Sequence, residues 1–248
     1  MTQKDDIFSD TSARASDFQF DEKVVAVFND MIGRSVPYYR EQQAMIQEMA
    51  RELYKTGTEV YDLGSSTATT LLNLCPAIEP PAKLIGYDNS LPMLEKGRER
   101  IEEHGFGDRI ELRQGDFNGD LSKMPLENAS LVTMCWTMQF VRPLQRERVV
   151  QWIHNGLVEG GALILTEKVL TQDQRMNRFF IDLYYKYKER NGYSQTEILR
   201  KREALENVLV PYTLEENMEL FRRNGFETVE TFFQWYNFVG ILCVKGPS

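Results

Sequence analysis

The chain has 248 residues, 42% of them apolar and 27% charged, which is the composition of a soluble globular protein. Its formal net charge of −8 argues against binding nucleic acid by neutralising phosphates, which needs a basic face. No stretch reaches the roughly 20 apolar residues of a membrane span, and the acidic, polar N-terminus does not read as a secretory signal.

Residues 1–20 are polar, with Phe8, Phe18 and Phe20 as isolated anchors, and suggest an ordered or semi-ordered arm. From Asp21 to Tyr54 apolar residues recur at helical spacing, with a break at Gly33–Pro37, so two helices are expected. The stretch Glu59-Val60-Tyr61-Asp62-Leu63-Gly64 is an apolar run ending in an acid and a glycine turn, and Ser65 to Thr70 opens a helix behind it. A second strand, Lys83 to Asp88, is followed by a helix with Ser90 as cap and Pro92 in its first turn. The charge run from Arg98 to Glu103 reads as that helix's solvated face.

A third strand, Arg109 to Gln114, leads to Gly115-Asp116-Phe117, and a fourth runs from Ala129 to Trp136. Pro143 starts a helix through Ile153, residues 158–161 form a turn, and Ala162 to Leu165 make the fifth strand. Residues 171–207 interrupt the alternation with two helices, Gln172 to Arg190 and Ser194 to Glu206. The first is rich in aromatics and suits a cover over a site, a dimer surface, or both. The second carries Arg200, Lys201 and Arg202, either a solvated basic face or a cation aimed at an anion. A helix from Leu214 to Asn224 and two late strands, about Thr228 to Phe233 and Asn237 to Val244, close the chain.

This order predicts an α/β fold: one doubly wound, mostly parallel seven-stranded sheet with N-terminal helices and a helical insertion before the last two strands. It is expected to be a single domain over 1–248, made of 1–54, a cofactor-binding core 55–170, the insertion 171–212, and 213–248 with the terminal helix and hairpin. Asp62, Asp88 and Asp116 fall at the carboxyl ends of three successive strands, where open α/β sheets bind ligands, so the three suggest one site. Cys75, Cys135 and Cys243 have no metal-type spacing. All three sit in apolar surroundings and are expected to be reduced core residues of a cytoplasmic protein. His104 and His154 fall at helix ends and receive no catalytic role.

The glycine turn after strand one, the acid after strand two and the terminal hairpin resemble the class I S-adenosylmethionine-dependent methyltransferase fold. More specific stretches, among them Arg34-Ser35-Val36-Pro37-x-Tyr39, Asp88-Asn89-Ser90, Glu167-Lys168, Asn191-Gly192-Tyr193-Ser194, Lys201-Arg202 and Phe233-Gln234-x-x-Asn237-Phe238, resemble the carboxy-S-adenosyl-L-methionine synthase family. The likeness covers nearly the whole chain.

It implies that S-adenosylmethionine and prephenate become carboxy-S-adenosylmethionine and phenylpyruvate, the product serving modification of the tRNA wobble uridine in a partner enzyme. Cofactor contacts then fall on Tyr39, Gly64, Ser65, Ser66, Asp88, Asn89, Asp116, Phe117 and Cys135. Arg202 takes the catalytic position that binds the new carboxylate, for which a planar guanidinium is well suited. S-adenosylmethionine is itself a substrate, no metal is expected, and a homodimer is implied. Two positions depart from the family pattern. Ala68 replaces a glycine and is expected to crowd the cofactor or shift the turn; Cys135 replaces an asparagine, with loss of a polar contact. A methyltransferase acting on a small substrate and a non-catalytic cofactor-binding protein remain alternatives on the residues alone.

Overall fold

The computed structural model describes residues 4–8, 19–206 and 208–247, so Phe18 lies outside the described residues. Helices α1 (Glu22–Ser35) and α2 (Tyr39–Leu53) precede the alternating core. The core runs β1 (Glu59–Leu63), α3 (Thr69–Leu74), β2 (Leu84–Asp88), α4 (Leu91–Glu103), β3 (Ile110–Gln114), β4 (Ala129–Cys135), α5 (Pro143–Gly156) and β5 (Leu157–Lys168). Then come α6 (Gln174–Arg190), α7 (Gln195–Leu205), α8 (Leu214–Arg223), β6 (Phe226–Trp235) and β7 (Phe238–Lys245).

Local chemistry sets many of these boundaries. The Asp21 carboxylate accepts from Val24 N–H at 3.1 Å to start α1, and the Ser90 hydroxyl accepts from Met93 N–H at 3.3 Å to start α4. Ser194 with Glu197, and Thr213 with Glu216, form reciprocal capping boxes at α7 and α8.

The seven strands lie in the order β3-β2-β1-β4-β5-β7-β6. Pairings from β3 to β5 are parallel, while β7 runs antiparallel to both β5 and β6. The order reverses direction at β1, with β2 on one side and β4 on the other, so the crevice of the sheet opens beyond these two strands. One apolar layer packs α5 and α8 against the sheet through Val149, Val150, Ile153, Leu220 and Phe221. The layer on the other face holds Ile46, Leu71, Leu74, Leu94 and Ile101.

Two expectations are corrected. The turn at 158–161 lies inside a longer β5: Ala129 pairs with Leu157 and Leu131 with Ala162, so these residues bulge beside Ser130. Gly160, at φ 62°, makes the bend available. The Arg98 to Glu103 run is also more than a solvated face. Arg98 donates to Leu112 O at 3.1 Å, and Arg100 turns back onto the loop after β1.

Candidate active site

The loop after β1 is built to bring backbone close to a ligand. Gly64 has φ 83°, and a Cβ placed there would overlap the Thr137 side chain, so any other residue is excluded on two counts. Gly64 and Ser65 both donate their N–H to Tyr87 O, at 2.7 and 2.9 Å, which ties the turn to the end of β2. Arg100 pins it from α4: one guanidinium nitrogen lies 2.6 Å from Thr67 O, 2.9 Å from Thr67 Oγ1 and 2.8 Å from Thr69 Oγ1.

Asp88 ends β2 and accepts from Ser66 N–H at 2.9 Å through one oxygen and from Ser90 N–H at 2.9 Å through the other. Burial raises its pKa, and the backbone N–H groups of Ser90, Ser66 and Asn89 oppose that shift. A carboxylate has about four acceptor positions, so Asp88 keeps capacity for a diol. Asp116 is exposed and turns its own loop by accepting from Asn118 N–H at 2.9 Å. Phe117 is buried, its ring 6.3 Å from that of Trp152.

A cavity of about 760 Å³ opens over this edge. Tyr39, Gly64, Ser65, Ser66, Asp88, Asn89, Asp116, Phe117 and Cys135 all line it. The volume falls in the range of cofactor-sized sites. Ser65 Oγ is buried on its wall with no hydrogen-bond partner among the described residues, an orphan that a polar ligand would satisfy. A flat apolar neighbour at Phe117, a carboxylate at Asp88 and close backbone at Gly64 fit the base, ribose and amino-acid end of S-adenosylmethionine respectively.

Asp62 does not join Asp88 and Asp116. It lies inside the sheet, accepts from Thr133 Oγ1 at 2.7 Å, and burial pushes its pKa up to about 7. Pointing into the sheet, it is outside the cavity lining. Cys135 is no plain core residue either: unlike Cys75 and Cys243 it is only partly buried, and it faces the cavity. Its thiol pKa is pushed up to about 12 by burial and by the Asp62 carboxylate, against the Thr166 and Thr70 hydroxyls beside it. Ala68 adopts φ 62° and buries its methyl in the layer with Leu71 and Leu94, so it strains the turn locally and does not enter the cavity.

Arg202 stands exposed on α7 and is outside the cavity lining; its neighbour Lys201 is buried and on the wall. The α7 backbone turns successive side chains by about 100°, so one of this adjacent pair faces inward. The N-terminal wall was not foreseen. Gln19, Phe20 and Asp21 line the cavity with Phe28, Met31 and Ser35 of α1, and Phe20 is held by Ser90 Oγ donating to its carbonyl at 2.6 Å. The signals for this wall in the sequence are the isolated aromatic at position 20 and the Arg34-Ser35-Val36-Pro37-x-Tyr39 stretch. His104 and His154 lie away from the cavity, the latter 3.1 Å from Gly225 O.

Residues 60–161 match the family description "Methyltransferase domain". Among solved structures, an O-methyltransferase family protein from Burkholderia thailandensis superposes with a TM-score of 0.66 at 16% identity, over 92% of this chain and 61% of that one. Human N-acetylserotonin methyltransferase in complex with SAM gives 0.61 at 15% identity, over 92% of this chain and 57% of that one. The chain thus spans about three fifths of these two longer proteins, and the likeness establishes the class I methyltransferase fold. The carboxy-S-adenosyl-L-methionine synthase of Methylococcus capsulatus is 51% identical over 98% of this chain and 99% of its own length. That of Desulfotalea psychrophila is 43% identical over 99% of both. With that identity holding over nearly the full length of both chains, the chain belongs to the carboxy-S-adenosyl-L-methionine synthase family.

Proposed function

We propose that the protein converts S-adenosylmethionine and prephenate to carboxy-S-adenosylmethionine and phenylpyruvate. The observation that carries this is the full-length identity to synthases of that name, at 51% with both chains covered almost completely. The carboxyl group that prephenate loses as its ring becomes aromatic ends on the sulfonium methyl carbon, and water is the remaining product. Supporting the reading, the cavity has acceptors for a nucleoside at Asp88, an apolar neighbour at Phe117 and a buried cation at Lys201.

The site roles are part of the proposal. Tyr39, Gly64, Ser65, Ser66, Asp88, Asn89, Asp116, Phe117 and Cys135 hold the cofactor substrate. Arg202 receives the new carboxylate, on the chemistry of its planar fork. Since it stands exposed on α7, it reaches a ligand only if α7 or a second subunit brings it there. A cytoplasmic homodimer supplying the carboxymethyl group for wobble-uridine modification completes the reading. The exposed Phe179 and Met176 on α6, beside Tyr236 of the hairpin, provide an apolar surface for the dimer.

The test is mass spectrometry of the purified protein incubated with both substrates. Carboxy-S-adenosylmethionine and phenylpyruvate in equal amounts, each requiring the other substrate, are expected. Methyl transfer with no need for prephenate would replace this reading by an ordinary methyltransferase. Light scattering at micromolar protein should give twice the chain mass, and a mass of one chain would remove the dimer.

A further inference from the structure

Beside the cavity, three lysines from three different elements meet around two tyrosine rings. Lys168 Nζ, at the end of β5, lies 5.1 Å from the Tyr184 ring centre and 5.9 Å from that of Phe238. Lys188 Nζ, from α6, lies 5.5 Å from Tyr184 and 5.3 Å from Tyr193. Lys201 Nζ, from α7, lies 5.6 Å from Tyr193. Each tyrosine ring is therefore neighboured by two ammonium groups. Lys188 and Lys201 are 4% and 7% exposed.

The described residues do not neutralise this charge. Among them Lys201 has one carboxylate nearby, Asp5 Oδ2 at 3.9 Å, and donates to Ser35 Oγ at 3.3 Å. Among the described residues neither Lys168 nor Lys188 has an ion pair. Arg34, stacked on the other ring neighbour Tyr193 at 4.1 Å, is already bound by Asp30 at 2.7 Å. Glu197 faces Lys188 at longer range and is engaged in its capping box with Ser194. Arg202 adds positive charge beside Lys168. Set against these cations, Asp5 leaves an excess of positive charge in a buried place, which is costly unless something anionic arrives. Asp5 also shows what the place accepts. Its carboxylate takes a hydrogen bond from Tyr193 Oη at 2.6 Å between Lys201 and Ser35.

The cluster opens on the cavity at one end. Lys201 and Ser35 line the cavity, and so does Gln139, whose side-chain oxygen accepts from Lys168 N–H at 3.3 Å. Of the three donors on its ammonium Lys201 gives one to Ser35, while Asp5 stands at ion-pair distance, so donor capacity remains for a ligand.

We propose that Lys201, backed by Lys188 and Lys168 around the rings of Tyr184 and Tyr193, is the subsite that draws in a small dicarboxylate as second substrate. This rests on the proposed synthase reaction and names the side of the cavity that takes prephenate. Lys201 is the contact. Lys188 and Lys168 act through it as positioning residues, by the potential they set up. Burial holds the three well below the usual lysine range: to about 7 for Lys188, with repulsion from Lys201 and Lys168, to about 8 for Lys168, with repulsion from Arg202, and to about 8 for Lys201, where Asp5 opposes the shift and Arg34 adds to it. A bound dianion reverses that preference, so binding is coupled to proton uptake.

The experiment is calorimetric titration of prephenate into the full chain saturated with S-adenosylhomocysteine, at pH 8 in two buffers of different ionisation enthalpy. Turnover with S-adenosylmethionine is assayed in parallel. The parent should bind with net proton uptake. Lys201→Met should weaken prephenate by at least about tenfold with S-adenosylhomocysteine affinity unchanged. Lys188→Met should lose affinity and reduce the proton uptake, and Lys188→Arg should keep the affinity. Equal loss in the Met and Arg variants would mean packing and overturn the proposal, as would a parent that does not bind prephenate. Turnover by the parent with a prephenate KM that neither Lys201→Met nor Lys188→Met changes overturns the subsite and leaves the synthase reading standing. Prephenate held through the lysines but not consumed keeps the subsite and removes that reading.

Discussion

Asp88 accepts two backbone N–H groups, one on each oxygen, while facing the cavity. Asp88→Asn turns one of those acceptors into a donor facing an N–H. The expected cost is about 1–3 kcal/mol of stability, read by urea unfolding, together with weaker S-adenosylhomocysteine binding by calorimetry. Ala68 sets two small effects against each other. Its left-handed φ of 62° favours glycine by about 1 kcal/mol, while its buried methyl is worth about 0.8 kcal/mol. Ala68→Gly should therefore shift stability by less than about 1 kcal/mol and leave cofactor affinity unchanged. A tenfold change in affinity would instead show that the methyl shapes the turn. The departure at position 68 was visible in the sequence; where its methyl points was not, because that depends on how the loop curls after Gly64.

At the scale of elements, caps and periodicity made the helices readable. Asp21, Ser90, Ser194 and Thr213 each stand one residue before a helix and accept a hydrogen bond from it. The side chains that join one element to another were less legible. Arg100 sits in a run of charges that looks solvated, yet its guanidinium ties α4 to the loop at Thr67 and Thr69. Removing it in Arg100→Met should cost about 1.5–3 kcal/mol, the worth of hydrogen bonds to a charged group, and lower cofactor affinity by loosening the turn. Unfolding midpoints and calorimetry on the same variant check both halves. The basic stretch at 200–202 does not say which of its residues turns inward, since adjacent positions differ in direction and packing against Ser35 of α1 is what buries Lys201. The knot of Asp5, Ser35, Tyr193 and Lys201 joins residues as far as 188 positions apart through the Tyr193–Asp5 hydrogen bond, and farther through the Lys201–Asp5 pair, so no local spacing foretells that they meet.

For the molecule as a whole, the lysine cluster makes stability depend on pH. Lys188 carries a folded pKa of about 7 against an ordinary 10.5, and it faces Lys201, Lys168, Asp5 and Glu197. Between these two values the unfolded chain holds a proton that the folded chain releases, so this group makes stability rise with pH. Asp62 and Glu167, raised by burial to about 7 and about 8, act in the opposite sense below those values. The clean comparison is the parent against Lys188→Met. The difference in Tm should move in the parent's favour as pH goes from 7 to 10, and a flat difference would contradict the assignment. The sheet itself was readable from its strands, down to an antiparallel ending, because strand and crossover lengths leave few topologies. Yet the order of its last members has a bearing on synthesis. β6 is made before β7 but is hydrogen-bonded to the sheet only through it, since of these two strands it is β7 that pairs with β5. A growing chain that has delivered β6 must hold β5 with an open flank, including Ile164 and Leu165, until β7 leaves the ribosome. That interval is when an unpaired edge is free to pair with another chain, so slow translation of the codons for β7 or loss of β7 should send the protein into aggregates rather than into a smaller folded form.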